Sequence, residues 1–236
     1  MRLLCKTYYL LSLRNRKKLY SFKNKHQGER CFIIGNGPSL NYEDLEKLKY
    51  ETIFVSNSFV KILDKISFMP TYYFSQDSSV IKNNLTYLRN TPGLTKFIYS
   101  HFNQWRYYVK DAIRYIDGKV ETVEFSDNIM RGVSGAWTVT QSMIQFAVFM
   151  GFKEIYLLGV DFNYAQNNTE ANSDCYFDKT MFNQIHYPLP EIEHSLAAFA
   201  KSREYCENHG IKIYNATRGG KLEVFERMNF DDILKS

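Results

Sequence analysis

The sequence has no G-x-G-x-x-G turn and no lysine-bearing Walker loop, so dinucleotide binding and P-loop hydrolysis both lack their signature. It also lacks G-x-S-x-G and H-E-x-x-H, which argues against acyl hydrolysis on a nucleophile elbow and against zinc peptidase chemistry. Its four cysteines, at positions 5, 31, 175 and 206, form no C-x-x-C pair and no metal spacing. They read as unpaired thiols of a reducing compartment. No apolar run reaches the roughly 20 residues needed to span a bilayer, and no small-residue cleavage site accompanies the N-terminal apolar stretch, so neither a span nor a secretion signal is expected. No repeat, proline-rich linker or low-complexity segment divides the 236 residues, a length that suits one domain burying roughly 70% of its unfolded surface.

What is present is unevenly placed. The net charge is +5, yet residues 1–30 hold nine Lys or Arg against one acid, Glu29, which leaves the remainder at −3. Residues 1–28 form a basic amphipathic segment, with Leu3, Leu4, Tyr8, Tyr9, Leu10, Leu11 and Leu13 ahead of Arg14, Arg16, Lys17 and Lys18. Two readings stand side by side: a peripheral contact with an anionic inner-membrane face, or a helix packed on its own domain. The expected location is cytoplasmic. The slightly acidic remainder makes nucleic acid a poor partner. Eighteen Tyr and eighteen Phe supply aromatic surface for a core and for clefts.

From residue 29 to 236 a single nucleotide-binding domain is expected. Short apolar runs at 31–34, 52–57, 71–77, 96–100, 120–125, 154–162 and 211–217 read as strands. Between them lie helices: one opening near Ser39, one over 134–150 with Ser134 as its N-cap and Gly151 as its C-terminal cap, and one over 191–209 ended by Gly210. The alternation predicts an α/β fold, a Rossmann-like and mostly parallel sheet flanked by helices in a GT-A-like variant. Residues 163–185, polar and rich in Asn, read as a mobile lid loop.

Ligands of such sheets sit beyond the carboxyl ends of the strands. Three turns, GNGPSL, VSNS and GVDFNY, would meet there. GNGPSL brings Gly35, Asn36, Gly37 and Ser39, whose backbone would face a phosphate or ribose. R-G-V-S-G-A-W sets Arg131 before the Ser134–Gly135 pair, a cation near helix-start amides. G-V-D-F-N-Y puts Asp161 and Phe162 at the end of a buried strand, the carboxylate able to accept from ribose hydroxyls. His186 and His194 are the histidines near the polar loop and the helix after it, and imidazole is the usual proton acceptor near neutral pH.

FIIGNGPSL, VSN at 55–57, R-x-x-S-G at 131–135, GFKEIYLLGVDF and a His-Ser ahead of the helix leading to IKIY, in that order, resemble glycosyltransferase family 42. These are bacterial sialyltransferases that move sialic acid from CMP-sialic acid to a galactoside with inversion. The resemblance spans roughly residues 30–216. It implies that Asn36, Asn57, Ser134, Gly135, Asp161 and Phe162 hold CMP and that His194 or His186 deprotonates the acceptor. Tyr164 and Tyr176, with Arg131, would stabilise the leaving phosphate, no metal or other cofactor would be required, and oligomers would be expected. It points to synthesis of surface polysaccharide or lipooligosaccharide. In this chain Asn163 separates Phe162 from Tyr164, six residues separate His186-Tyr187 from His194, and Gln76 or Asp77 stands where that family has a strand-end asparagine.

GNGPSL and the ending NATRGGKLEVFERMNF also resemble the MptE-like 6-hydroxymethylpterin diphosphokinase domains of bacterial surface-glycan loci. That resemblance implies Mg²⁺ held by Asp77 and Asp161 beside a nucleoside triphosphate. A third expectation is a noncatalytic nucleotide-sugar-binding protein.

Overall fold

Strands that are apolar at every position, such as 31–34 and 155–158, are covered on both faces. The computed structural model describes residues 12–100, 108–119, 124–134, 138–163, 173–182 and 191–235. In chain order these form α1 (Leu13–Tyr20), β1 (Arg30–Ile34), α2 (Tyr42–Lys47), β2 (Ile53–Ser56), a 3-10 helix (Asn57–Lys65), β3 (Tyr72–Ser75), α3 (Ser78–Asn83) and α4 (Leu85–Arg89). There follow β4 (Thr95–Tyr99), β5 (Ile113–Tyr115), β6 (Asp117–Lys119), a 3-10 turn (Ile129–Arg131), β7 (Val133–Ser134) and α5 (Val139–Met150). After β8 (Glu154–Leu158) come two short 3-10 turns (Ser173–Cys175 and Lys179–Met181), then α6 (Ile192–Asn208), β9 (Lys212–Asn215), β10 (Glu226–Arg227) and α7 (Phe230–Ile233).

Eight strands make one all-parallel sheet in the order β10-β9-β8-β1-β2-β3-β4-β5, and β6 pairs with β7 apart from it. The chain steps outward from β1 to β5, then re-enters on the other side of β1 as β8. The order therefore reverses between β1 and β8, and the crevice of a doubly wound sheet opens at their carboxyl ends.

One face of the sheet, with Cys31, Ile33, Phe54, Tyr72, Phe74, Phe97 and Leu157, packs under α1, α5 and α6. The other, with Phe32, Ile34, Val55, Tyr73, Ile98 and Leu158, packs under α2, the 3-10 helix, α3, α4 and α7. Much of the aromatic content serves the first face. Phe146 of α5 meets Phe97, Phe74 and Tyr115 at ring-centroid distances of 4.8, 4.9 and 5.2 Å, the edge-on and tilted arrangements that ring quadrupoles favour.

The basic N-terminal stretch is part of this packing from residue 12 onward. Leu19 and Phe22 are buried in the first core. Asn15, also buried, donates to the Arg114 carbonyl and accepts from the Arg114 amide, both at 2.9 Å, which ties α1 to the outermost strand, β5. The amides of Asn24, His26 and Gly28 bond the carbonyls of Phe149, Met150 and Gly151. Residues 1–11 lie outside the described residues. No helix of the described residues is long and apolar enough to cross a membrane.

Two helix starts differ from expectation. Ser134 belongs to β7, its amide and carbonyl held by the Gln145 carboxamide at 2.8 and 3.1 Å, so α5 begins later, with Thr138 accepting from the Thr140 amide. Ser39 is engaged elsewhere, and Asn41 caps α2 by accepting from the Asp44 amide. Gly151 does close α5 in the left-handed conformation, and Gly210 takes that conformation just beyond α6. Of the run 120–125, only 124 and 125 are described, and neither is strand.

Candidate functional site at the carboxyl ends of the strands

The turns after β1 and β8 are built against each other. The amides of Gly35 and Gly37 donate to the carbonyls of Leu158 and Gly159 at 2.8 and 2.9 Å. A Cβ at residue 35 would collide with the Gly159 carbonyl, and one at residue 37 with the Asp161 carboxylate. These glycines therefore serve the strand-to-strand contact, and their amide hydrogens are taken up by it instead of facing a ligand. Ser39 closes the contact, its hydroxyl donating to Asp161 Oδ2 at 2.8 Å and its amide at 3.4 Å. Burial pushes the Asp161 carboxyl above its ordinary range, against the opposing pull of the Ser39 donors.

The side chains that this contact leaves over are Asn36 and Asn57. Asn36 Nδ2 donates to the Ser56 carbonyl at 3.2 Å, which brings the β1 turn to the end of β2. Among the described residues its buried Oδ1 has no hydrogen-bond partner, and neither has Oδ1 of Asn57. Asn57 has a positive φ of 55° and its carbonyl accepts from the Tyr73 hydroxyl at 2.8 Å. Phe162, at φ 51°, is the other non-glycine residue of the site in the left-handed region. Strain of this kind costs about 1–3 kcal/mol and clusters at functional sites.

Around this centre the remaining expected residues are spread. Gln76 accepts from the Ser142 hydroxyl at 2.9 Å, linking the end of β3 to the first turn of α5. The Asp77 carboxylate caps α3, accepting from the amides of Ser79 and Val80 at 2.7 and 3.3 Å and from the Ser79 hydroxyl. Arg131 is exposed at the end of its 3-10 turn. His194, half-exposed in the first turn of α6, pairs through Nδ1 with Glu191 at 2.6 Å, a carboxylate that orients the ring. Since α6 starts at the carboxyl end of the sheet, His194 lies at the same end as the asparagines. Tyr164, His186 and Gly135 lie outside the described residues.

Of the two carboxylates named for Mg²⁺, Asp77 accepts its helix-cap bonds through Oδ1 and Asp161 accepts from Ser39 through Oδ2, and among the described residues no group of three or more His, Cys, Asp or Glu is placed to hold a metal.

Part of the expected lid is firmly anchored. Asp178 accepts from Lys65 Nζ at 2.6 Å, from the Thr180 amide and hydroxyl at 2.8 and 2.6 Å, and from the Tyr42 hydroxyl. Burial pushes its carboxyl up, but these donors outweigh that and hold it well below the carboxylate range. Lys61 Nζ donates to the carbonyls of Thr180 and Met181 at 3.3 and 3.4 Å. The Phe177 amide donates to the Asn36 carbonyl at 3.1 Å, which sets Tyr176 beside the β1 turn. The sequence reading missed this knot, although D-K-T is an Asx-turn pattern and Lys61 and Lys65 are one helical turn apart.

Residues 7–167 match the model of the family described as 6-hydroxymethylpterin diphosphokinase MptE-like. The chain belongs to the MptE-like family. No curated protein matches it. Among solved structures, this MptE-like chain is similar to a Maf glycosyltransferase from Magnetospirillum magneticum AMB-1, with a TM-score of 0.59 and 15% identity, over 92% of this chain and 38% of the other. It therefore spans little more than a third of that protein. It is also similar to the Campylobacter jejuni sialyltransferase CstII in complex with CMP, with a TM-score of 0.51 and 20% identity over 86% and 85% of the two chains. The monofunctional α-2,3-sialyltransferase Cst-I of the same organism gives 0.54 and 18% over 86% and 82%. At these identities the likeness is one of fold.

The Asp178 knot generates a test. Hydrogen bonds to a charged group are worth about 1.5–3 kcal/mol each, so Asp178→Ala is expected to raise the rate of tryptic cleavage at Lys179 by roughly tenfold or more while the melting temperature of the core changes little. Unchanged cleavage would show that the segment is held by other contacts.

Proposed function

We propose that this chain is a glycosyltransferase that uses a CMP-activated donor and transfers its sugar to a glycan hydroxyl with inversion. The observation that carries the reading is the pair of buried, unpartnered oxygens, Asn36 Oδ1 and Asn57 Oδ1, at the switch point of the sheet. Both are acceptors, and ribose hydroxyls and the cytosine amine are donors. A buried acceptor without a partner costs about 1–3 kcal/mol, a cost recovered when a ligand supplies the donor. In the transfer step His194, oriented by Glu191, takes the acceptor's hydroxyl proton. The new bond forms from that oxygen to the anomeric carbon as the bond to the CMP phosphate breaks. In this reading Arg131 and Tyr176 would stabilise the charge that develops on the phosphate. The family's own description favours a second reading, a diphosphokinase using Mg²⁺ and a nucleoside triphosphate, and a noncatalytic nucleotide-sugar-binding protein is the third.

Thermal-shift titration separates the three. At about 100-fold excess over Kd a ligand adds about 2.7 kcal/mol, roughly 5–10 °C for a chain of this size. The glycosyltransferase reading expects that shift with CMP whether or not Mg²⁺ is present, and expects His194→Ala to keep the shift while transfer falls by about 10²–10⁴. A shift only with ATP and Mg²⁺ selects the diphosphokinase. CMP binding with no turnover in any acceptor screen selects the binding protein.

The outer face of α1 supports peripheral membrane attachment as part of the same reading. With Asn15 and Leu19 turned inward, Leu13 (75% exposed) and Tyr20 (60% exposed) point outward between Arg16 and Lys17. Apolar side chains among cations suit an anionic bilayer surface. Wild-type protein is expected to float with phosphatidylglycerol-containing liposomes and the Leu13→Ser/Arg16→Gln/Lys17→Gln/Tyr20→Ser variant to stay in the soluble fraction. Equal flotation of both rules this face out.

A further inference from the structure

Gln141 is fully buried in the first turn of α5, and among the described residues neither its Oε1 nor its Nε2 has a hydrogen-bond partner. It occupies the third helical position after the Thr138 cap, where a glutamine commonly turns back to bond the cap residue's amide. Here it does not. The Thr138 hydroxyl caps the Thr140 amide, and the Gln141 carboxamide is left empty at both ends. A buried carboxamide in that state is a standing cost to the folded protein.

Its position gives that cost a reason. α5 packs across β1, β2 and β3 and begins at their carboxyl ends. The neighbouring Ser142 hydroxyl bonds Gln76 Oε1 at 2.9 Å, which fixes this turn of α5 to the residue just after β3. Along the same strand ends lie the oxygens of Asn36 after β1 and Asn57 at the end of β2, unpartnered among the described residues. The first turn of a 12-residue helix, with its positive dipole end, adds to this group a side chain offering one donor and one acceptor.

We propose that Gln141 is a ligand-reading residue of the nucleotide site, pairing its carboxamide with an adjacent donor and acceptor on the bound donor substrate. Such an edge is carried by a pyrimidine base; an acylamino group on a sugar offers its donor and its acceptor on opposite sides, of which the carboxamide would pair with one. The assignment rests on the nucleotide reading given above. No sequence motif points to it, because a glutamine inside TVTQSMIQF reads as ordinary helix.

The test pairs stability with binding. In Gln141→Leu, and in Gln141→Met as the variant nearest in shape, an empty polar group is replaced by an apolar one of similar volume, so the ligand-free melting temperature is expected to hold or rise. Calorimetric affinity is expected to fall about tenfold, the loss of a neutral hydrogen-bonded contact. The fall appears with CMP alone if Gln141 reads the base, and only with CMP-N-acetylneuraminic acid if it reads the acylamino group. A lower melting temperature in both variants with both affinities unchanged overturns the proposal and makes Gln141 a structural residue served by buried water. A wild-type protein that binds neither probe overturns the nucleotide reading itself, an outcome distinct from variant-insensitive binding.

Discussion

The site depends on the contact between the turn after β1 and the turn after β8. Two glycine amides are given to β8 carbonyls, the Ser39 hydroxyl closes on Asp161, and no side chain larger than hydrogen fits at 35 or 37. The same contact is locked from the other side. The Val160 amide donates to the Thr217 hydroxyl at 3.1 Å and the Lys221 amide to the Asp161 carbonyl at 2.7 Å, so the C-terminal NATRGG segment grips the β8 turn. Once these polar groups are committed to each other, the side chains the contact leaves over are Asn36 on one turn and Asn57 on the next strand, the two that the proposed function assigns to the ligand. Asp161 then acts as the clasp that shapes the crevice.

Such a site is expensive in stability. Empty buried amides and left-handed Asn57 and Phe162 all oppose folding, while net stabilities are only about 5–15 kcal/mol. What offsets them is the thick apolar covering of both sheet faces, with Phe146, Phe97 and Phe74 at its centre and the Asn15 bridge closing the outer edge. Strain is concentrated at one end of a sheet whose interior is closely filled, as expected where a binding site is built on a rigid scaffold.

The strands that form the middle of the sheet were legible in the sequence because burial makes them largely apolar: β1, β2, β3, β4 and β8 coincide with apolar runs, and β9 with the alternating run Ile211, Ile213. The short strands β5, β6, β7 and β10 were not, since two or three residues offer no apolar run to read. The start of α5 was misplaced because Ser134 carries a good capping residue's chemistry but is held extended by Gln145, eleven residues on. Asn36 and Asn57 belong to turns the sequence showed, and they stand directly after β1 and β2. The Asp178 knot was not legible, because Tyr42 and Lys65 lie more than a hundred residues away.

The most direct test of the central claim is amide hydrogen exchange with and without CMP. The account predicts that CMP slows exchange in residues 35–40 and 57–60 and in the first turn of α5, with the far ends of the strands unchanged. Protection elsewhere on the molecule, or none at saturating CMP, would contradict it.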